Sequence, residues 1–297
     1  MTDVPKEAVA GWEEYAADVH SFDSFESEYH NYIQGECLPA SYKPAISVAD
    51  LFKRPALPVT SYVPGFIYAG SLNLVAGEPK AGKSTLVWHI INAISQGTSF
   101  LDKESRKTNV LYVTEQNEVS FRQETANIPG FTKNPNIFVL LPEVCPAQAW
   151  SERIEFWNEK LHATQSNILV IDTFGAFAVL PPGGENDAAC IAERLMALKK
   201  LYRERPSLGI VLVHHIRKPS TDPRYAAKAF ADLRDARGSS ALAGGVDNCV
   251  MLTKEETFTN IRNIHIEGRF IPEEHCSIAL TEKGYVTSNL IRKPYRR

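Results

Sequence analysis

Gly77-Glu78-Pro79-Lys80-Ala81-Gly82-Lys83-Ser84 fits the spacing G-x-x-x-x-G-K-[ST] without deviation. The chemistry of anion binding requires this layout. Glycines let backbone N–H groups turn inward round a phosphate with no Cβ in the way. A helix starting at the end of the motif points its positive end at the same place. Lys83 can then reach the β- and γ-phosphates, and the Ser84 hydroxyl can join a Mg²⁺ shell. Gly77, Glu78, Pro79, Lys80, Ala81, Gly82, Lys83, Ser84 and the following Thr85 are the expected nucleotide-binding residues. The bound species expected is ATP with Mg²⁺.

The flanks agree with this reading. Leu72–Ala76 upstream is an apolar strand, and Ser84–Gln96 downstream is a helix with Leu86, Val87, Ile90, Ile91 and Ile94 on one face, ended by Gly97. Further out, strand and helix patterns alternate. Asn109–Thr114, Ile137–Leu141, Ile168–Asp172 and Gly209–His214 read as strands; Val119–Ile128, Ala147–Ala163 and Asp187–Arg205 read as helices. This alternation predicts an α/β fold with a mainly parallel central sheet. Asn248–Thr253, Phe258–Glu267, Ser277–Leu280 and Tyr285–Ser288 read as strands with short links, which predicts antiparallel strands extending that sheet. Residues 39–70 hold five prolines, Pro39, Pro44, Pro55, Pro58 and Pro64, and read as an extended lead-in.

Composition sets limits on function. At 297 residues with 44% hydrophobic and 23% charged side chains, the chain can bury a sizeable core. A net charge of −3 excludes a whole-protein basic field, so any nucleic-acid contact must use local charge. The charge is uneven. Nine acids and a single Lys6 occupy the first 36 residues, whereas Arg292, Lys293, Arg296 and Arg297 close the chain. The five cysteines are odd in number and contain no C-x-x-C pair, which points to reduced core thiols. Residues 1–30 lack an apolar signal core, and no run of about 18 apolar residues exists. A cytoplasmic location without membrane contact is therefore expected. The organisation expected is an acidic N-terminal extension over 1–45, an ATPase domain over 46–290 and a basic tail over 291–297.

Two acids complete a candidate hydrolytic site. Asn167-Ile168-Leu169-Val170-Ile171-Asp172 carries four apolar residues directly to Asp172 at a strand's C-terminal end, where ligands bind in open α/β sheets. Asp172 is the expected second Mg²⁺-shell residue; otherwise it only caps the strand. Val110-Leu111-Tyr112-Val113-Thr114-Glu115 places Glu115 just past another strand, as a candidate base for water or a solvated loop residue. His214 ends the buried run Ile210-Val211-Leu212-Val213 and is either a γ-phosphate sensor or a structural histidine.

Taken in order, Pro64-Gly65, the motif Gly77–Ser84, Glu115, Ile171-Asp172, His214-His215 and Arg237-Gly238-Ser239-Ser240-Ala241 resemble the RecA-fold ATPases of the RepA type, the ring-forming replicative helicases often grouped with AAA-family ATPases. The likeness spans roughly residues 46–290. It implies catalytic roles for Lys83, Glu115, His214 and Arg269, the last as an arginine finger reaching a neighbour's nucleotide. Ring relatives carry a Lys two residues earlier, where this chain has Glu267. Arg122 is implied near the adenine. The likeness also implies a homo-oligomeric ring, with a hexamer the expected size, and DNA-facing loops at Phe174–Asp187 and Ile216–Gly238. The second loop holds Arg217, Lys218, Arg224, Lys228, Arg234 and Arg237, suited to phosphate contacts on single-stranded DNA or, equally, to a solvated helix. The function expected is a Mg²⁺-dependent ATPase stimulated by single-stranded nucleic acid, a helicase or translocase in replication or repair, with replication or defence proteins as further partners. The alternative is a recombinase-like or regulatory ATPase that assembles on ATP and recruits a partner without unwinding.

Overall fold

A computed structural model describes residues 45–55, 58–144, 149–184, 187–215, 240–255, 258 and 260–288. The expected acidic extension up to residue 44, the basic tail and the whole of the basic segment 216–239 lie outside the described residues. The chain divides into two units, residues 1–58 with 205–207 and the remainder. In the smaller unit a single helical turn, α1 (Val48–Leu51), is capped by the Ser47 side chain, which accepts from the Asp50 N–H.

The larger unit is built on a nine-stranded sheet in the order β11-β10-β9-β8-β3-β7-β6-β4-β5. The strands are β3 (Ser71–Gly77), β4 (Asn109–Thr114), β5 (Ile137–Leu140), β6 (Ser166–Asp172), β7 (Gly209–His215), β8 (Asn248–Lys254), β9 (Ile261–Gly268), β10 (Glu274–Thr281) and β11 (Gly284–Ser288). Strands β3 to β8 pair in parallel; β9, β10 and β11 add an antiparallel edge. The sheet is thus mainly parallel with an antiparallel C-terminal extension, as the alternation predicted. One detail differs. The segment Asn248–Thr253, read as part of the antiparallel edge, pairs in parallel with β3 and in antiparallel with β9. Its apolar run is buried on both faces, as a central strand requires.

The helices cover both faces. α2 (Lys83–Gln96) and α3 (Glu118–Thr125) follow β3 and β4; α4 (Trp150–Ala163), the short α5 (Phe174–Phe177) and α6 (Ala188–Glu204) complete the layers, and α7 (Ser240–Gly245) precedes β8. α2 buries Leu86, Val87, Ile90, Ile91 and Ile94, the face read from the sequence. α4 and α6 bury Trp150, Trp157, Leu161, Leu195 and Leu198 in one cluster with Leu74, Leu111, Leu169 and Leu212 of the sheet. Each such side chain contributes about 1.5–3 kcal/mol by leaving water. Local chemistry sets the helix starts. Asn117 accepts from Ser120 N–H to start α3, and Asp187 accepts from Ala189 N–H to start α6.

The proline-rich lead-in is more structured than its composition predicts. β1 (Ser61–Val63) and β2 (Ile67–Tyr68) form a small antiparallel ribbon joined by a turn at Pro64-Gly65, with Phe66 N–H bonded to Val63 O. Tyr62, Val63, Phe66 and Ile67 are buried, so tertiary packing outweighs the local signal.

Candidate nucleotide site

β3 delivers the chain to the loop at Gly77, beside β8. A Cβ on Gly77 would stand 2.4 Å from the Leu252 carbonyl oxygen, so no larger residue fits this approach. The loop then turns through Lys80 (φ 60°) and Gly82 (φ 93°), and Gly82 caps the start of α2. Helix N–H groups and the positive end of α2 converge on the concavity this creates.

Lys83 folds back over its own loop. Its ammonium donates to Gly77 O at 3.2 Å and Glu78 O at 2.9 Å, and it meets His215 Nδ1 at 3.1 Å. The residue is only 5% exposed. Burial pushes its pKa down, while the Asp172 and Glu78 carboxylates push it up.

Asp172, 4% exposed, closes β6 on the same face. The Tyr112 phenol donates to its Oδ2, and the Ser84 hydroxyl is a second hydrogen-bond partner. Burial raises the Asp172 pKa; the Tyr112 and Ser84 hydrogen bonds lower it, the neighbouring Glu115 charge raises it and Lys83 lowers it. Asp172 and the Ser84 hydroxyl together offer the hard oxygen donors that Mg²⁺ prefers. The residues present fit such an ion.

Glu115 stands one residue past β4, next to Asp172. Its N–H donates to Asp172 O at 3.0 Å, and the Thr173 hydroxyl donates to its Oε1 at 3.1 Å. The carboxylate is exposed, unlike that of Asp172. Two neighbouring carboxylates in such different environments can take different chemical roles.

Three expected site residues stand elsewhere. Successive side chains on a strand point to opposite faces. His214 therefore turns to the α4–α6 side, where its ring meets Phe174 edge-on at 6.1 Å, and His215 is the histidine that touches Lys83. Arg122 is 77% exposed and pairs with Glu118 on its own helix at 2.7 Å. Arg269 follows β9, whose Gly268 pairs with Asn248, which in turn pairs with Asn73 near the start of β3. Arg269 thus lies at the N-terminal end of the parallel strands, about 13 Å of strand rise from the loop end of β3. In its own chain it pairs with Asp247 at 3.4 Å and does not meet the phosphate loop.

Sequence reading missed other neighbours of the loop. Arg262 on β9 donates from Nε to Ala81 O at 2.6 Å, and the Tyr285 hydroxyl on β11 lies 3.6 Å from where a Cβ on Gly82 would sit. Tyr285 also meets His89 edge-on at 5.3 Å. No local signal marks Arg262 or Tyr285, because only sheet closure brings them to a loop about 180 or more residues earlier in the chain. Tyr112 carried a faint signal, as a polar tip in the apolar run Val110–Val113.

Residues 39–221 match the AAA domain family. The chain belongs to that family. As an AAA-family domain it shares its fold with a solved structure described as the RadB recombinase, at a TM-score of 0.50 and 16% identity, over 74% of this chain and 92% of that one. Among curated proteins none matches in sequence. The fold is that of a RecA-like P-loop ATPase. No helix among the described residues is long and apolar enough to cross a membrane.

Proposed function

We propose that this chain hydrolyses ATP and acts as a recombinase-like or regulatory ATPase, assembling with further copies of itself when ATP is bound. The observation that carries the reading is the convergence of Lys83, Ser84, Asp172 and Glu115 on one face of the phosphate loop. Backbone N–H groups of the loop grip the triphosphate, and Lys83 exchanges its loop carbonyls for phosphate oxygens. Ser84 and Asp172 would hold Mg²⁺, which when bound would screen the triphosphate charge. Tyr112 orients Asp172 by its hydrogen bond. Glu115, fixed by Thr173, takes a proton from the attacking water at its free carboxylate oxygen. His215, already in contact with Lys83, reports whether that lysine is engaged.

The solved structure that shares the fold is described as a recombinase, which supports the recombinase-like reading. The helicase reading is carried by the basic segment Arg217–Arg237 and by family resemblance, and single-stranded DNA remains the proposed polymer partner in either case. ATP turnover measured with and without single-stranded DNA across a salt series, beside a forked-duplex displacement assay, separates the two. The expected result is ATP-dependent assembly seen by light scattering without strand displacement. Displacement driven by ATP would install the helicase reading, and turnover surviving in Lys83→Ala would remove the hydrolytic site altogether.

A further inference from the structure

Away from the phosphate loop, on the antiparallel edge, three side chains meet that the nucleotide chemistry does not use. His265 on β9 and His275 on β10 are direct cross-strand partners, so their rings share one face of the sheet. The rings stack with centroids 4.2 Å apart and planes 19° from parallel. Both direct Nε2 at the same atom, Glu273 Oε1, at 2.9 Å from His265 and 3.2 Å from His275. One nitrogen from each ring and a carboxylate oxygen all lie within 4.8 Å of one another. His265 is buried, His275 is half-buried and Glu273 is 57% exposed, so solvent reaches the cluster from one side.

We propose that His265, Glu273 and His275 form a binding site for a zinc-class transition-metal ion. Two imidazoles and a carboxylate are the borderline donor set that Zn²⁺, Co²⁺ and Ni²⁺ accept, whereas Mg²⁺ prefers oxygen ligands throughout. The spacing suits a tetrahedral ion. With metal–ligand bonds of about 2.05 Å, neighbouring ligand atoms stand roughly 3.3 Å apart, close to the nitrogen–oxygen separations already present. The exposed side leaves a fourth position for water. Glu273 and His275 follow the turn that begins at Arg269, and His265 precedes it. A bound ion therefore ties both ends of the Arg269 turn together.

The test uses the full chain, stripped with chelator and titrated with Co²⁺ as a spectroscopic probe. Expected are one equivalent per chain, with the intense visible bands of four-coordinate Co²⁺, displacement by Zn²⁺, no displacement by excess Mg²⁺, and retention of binding in Lys83→Ala. His275→Gln should weaken binding at least tenfold and abolish the rise in melting temperature that Zn²⁺ gives the unaltered chain. Should His275→Gln fail to fold, Glu273→Gln, altered at an exposed carboxylate, must show the same loss. Absence of the bands, or unchanged affinity in a folded His275→Gln or Glu273→Gln chain, overturns the site.

Discussion

The two ends of the parallel sheet treat charge in opposite ways. At the C-terminal end Lys83 and Asp172 are 5% and 4% exposed and belong to one connected set with Ser84, Tyr112 and His215. At the N-terminal end Arg269 is 65% exposed and rests on Asp247 at 3.4 Å. Only the arginine half of this pair is exposed; Asp247 is 9% exposed and also accepts from the Leu72 N–H at 3.0 Å, so if the arginine swings away the carboxylate keeps a backbone partner. The buried cluster cannot disperse, because each member would leave another desolvated and unpaired. A charge held loosely at the surface can turn to an anion on a second copy; a charge locked under a loop can only receive a ligand brought to it. The proposed assembly would use this contrast, with a binding site at one end and Arg269 offered to a neighbour at the other.

The largest effect should come from the locked end. Lys83→Ala should lose both nucleotide binding and turnover. Glu115→Gln should bind ATP normally and lose turnover by roughly 10²–10⁴-fold, the usual worth of a positioned base. Fluorescent-nucleotide titration beside steady-state hydrolysis separates the two. Unimpaired turnover in Glu115→Gln would assign water activation to another group.

The next effect probes the other end. Arg269→Ala should lower turnover of the assembled protein by roughly 10²-fold, the scale for removing one transition-state donor. An equimolar mixture of Lys83→Ala and Arg269→Ala chains should then exceed the summed rates of the two alone, because the first lends its arginine to the intact loop of the second. A mixture no faster than that sum, with both chains in one assembly, would break the contrast and leave Arg269 as a surface charge.

These experiments also reflect what could be read beforehand. The parallel half was legible because its central strands are buried on both faces and read as continuous apolar runs, and β6 carries such a run directly to Asp172. The motif Gly77–Ser84 is local in sequence, so its loop needed no tertiary information. The sequence pointed to His214, but one residue of register decides which face each histidine occupies, and it is His215 that meets Lys83. Arg262, Tyr285 and the His265–Glu273–His275 cluster were silent because single residues on alternating antiparallel strands become neighbours only after pairing. The ribbon at Tyr62–Tyr68 was hidden behind its prolines, which describe local stiffness and not what packs over the segment.

A smaller effect tests the cost of the buried end. Burial raises the Asp172 pKa in the folded state. With the folded value above the unfolded one, ionisation is easier in the unfolded chain. Stability is then fully present below the unfolded value and is lost as pH rises through the folded one. Asp172→Asn removes this loss. Without nucleotide the variant should melt higher at neutral pH, by about 2–4 °C for each kcal/mol recovered. The two proteins should converge below the ordinary carboxylate range, where both side chains are neutral. A variant that melts lower at neutral pH would mean that the hydrogen bonds from Tyr112 and Ser84 outweigh desolvation.

The smallest effect is expected at Arg122, which lies near the locked end in sequence but behaves like the loose one. Its side chain is 77% exposed and its partner Glu118 is one turn away on α3. An i,i+4 pair of this kind stabilises a helix by about 0.3–0.5 kcal/mol. Arg122→Ala should therefore change stability by no more than that and nucleotide affinity by less than about twofold, a factor worth about 0.4 kcal/mol. Isothermal titration with ATP and Mg²⁺ beside a urea melt measures both. A tenfold loss of affinity with unchanged stability would show that α3 carries Arg122 to the nucleotide, as family resemblance implies. Exposure in the free chain would then be a poor guide to which charges the ligand recruits, and the reading of Arg269 as a loosely held, releasable group would gain a second instance.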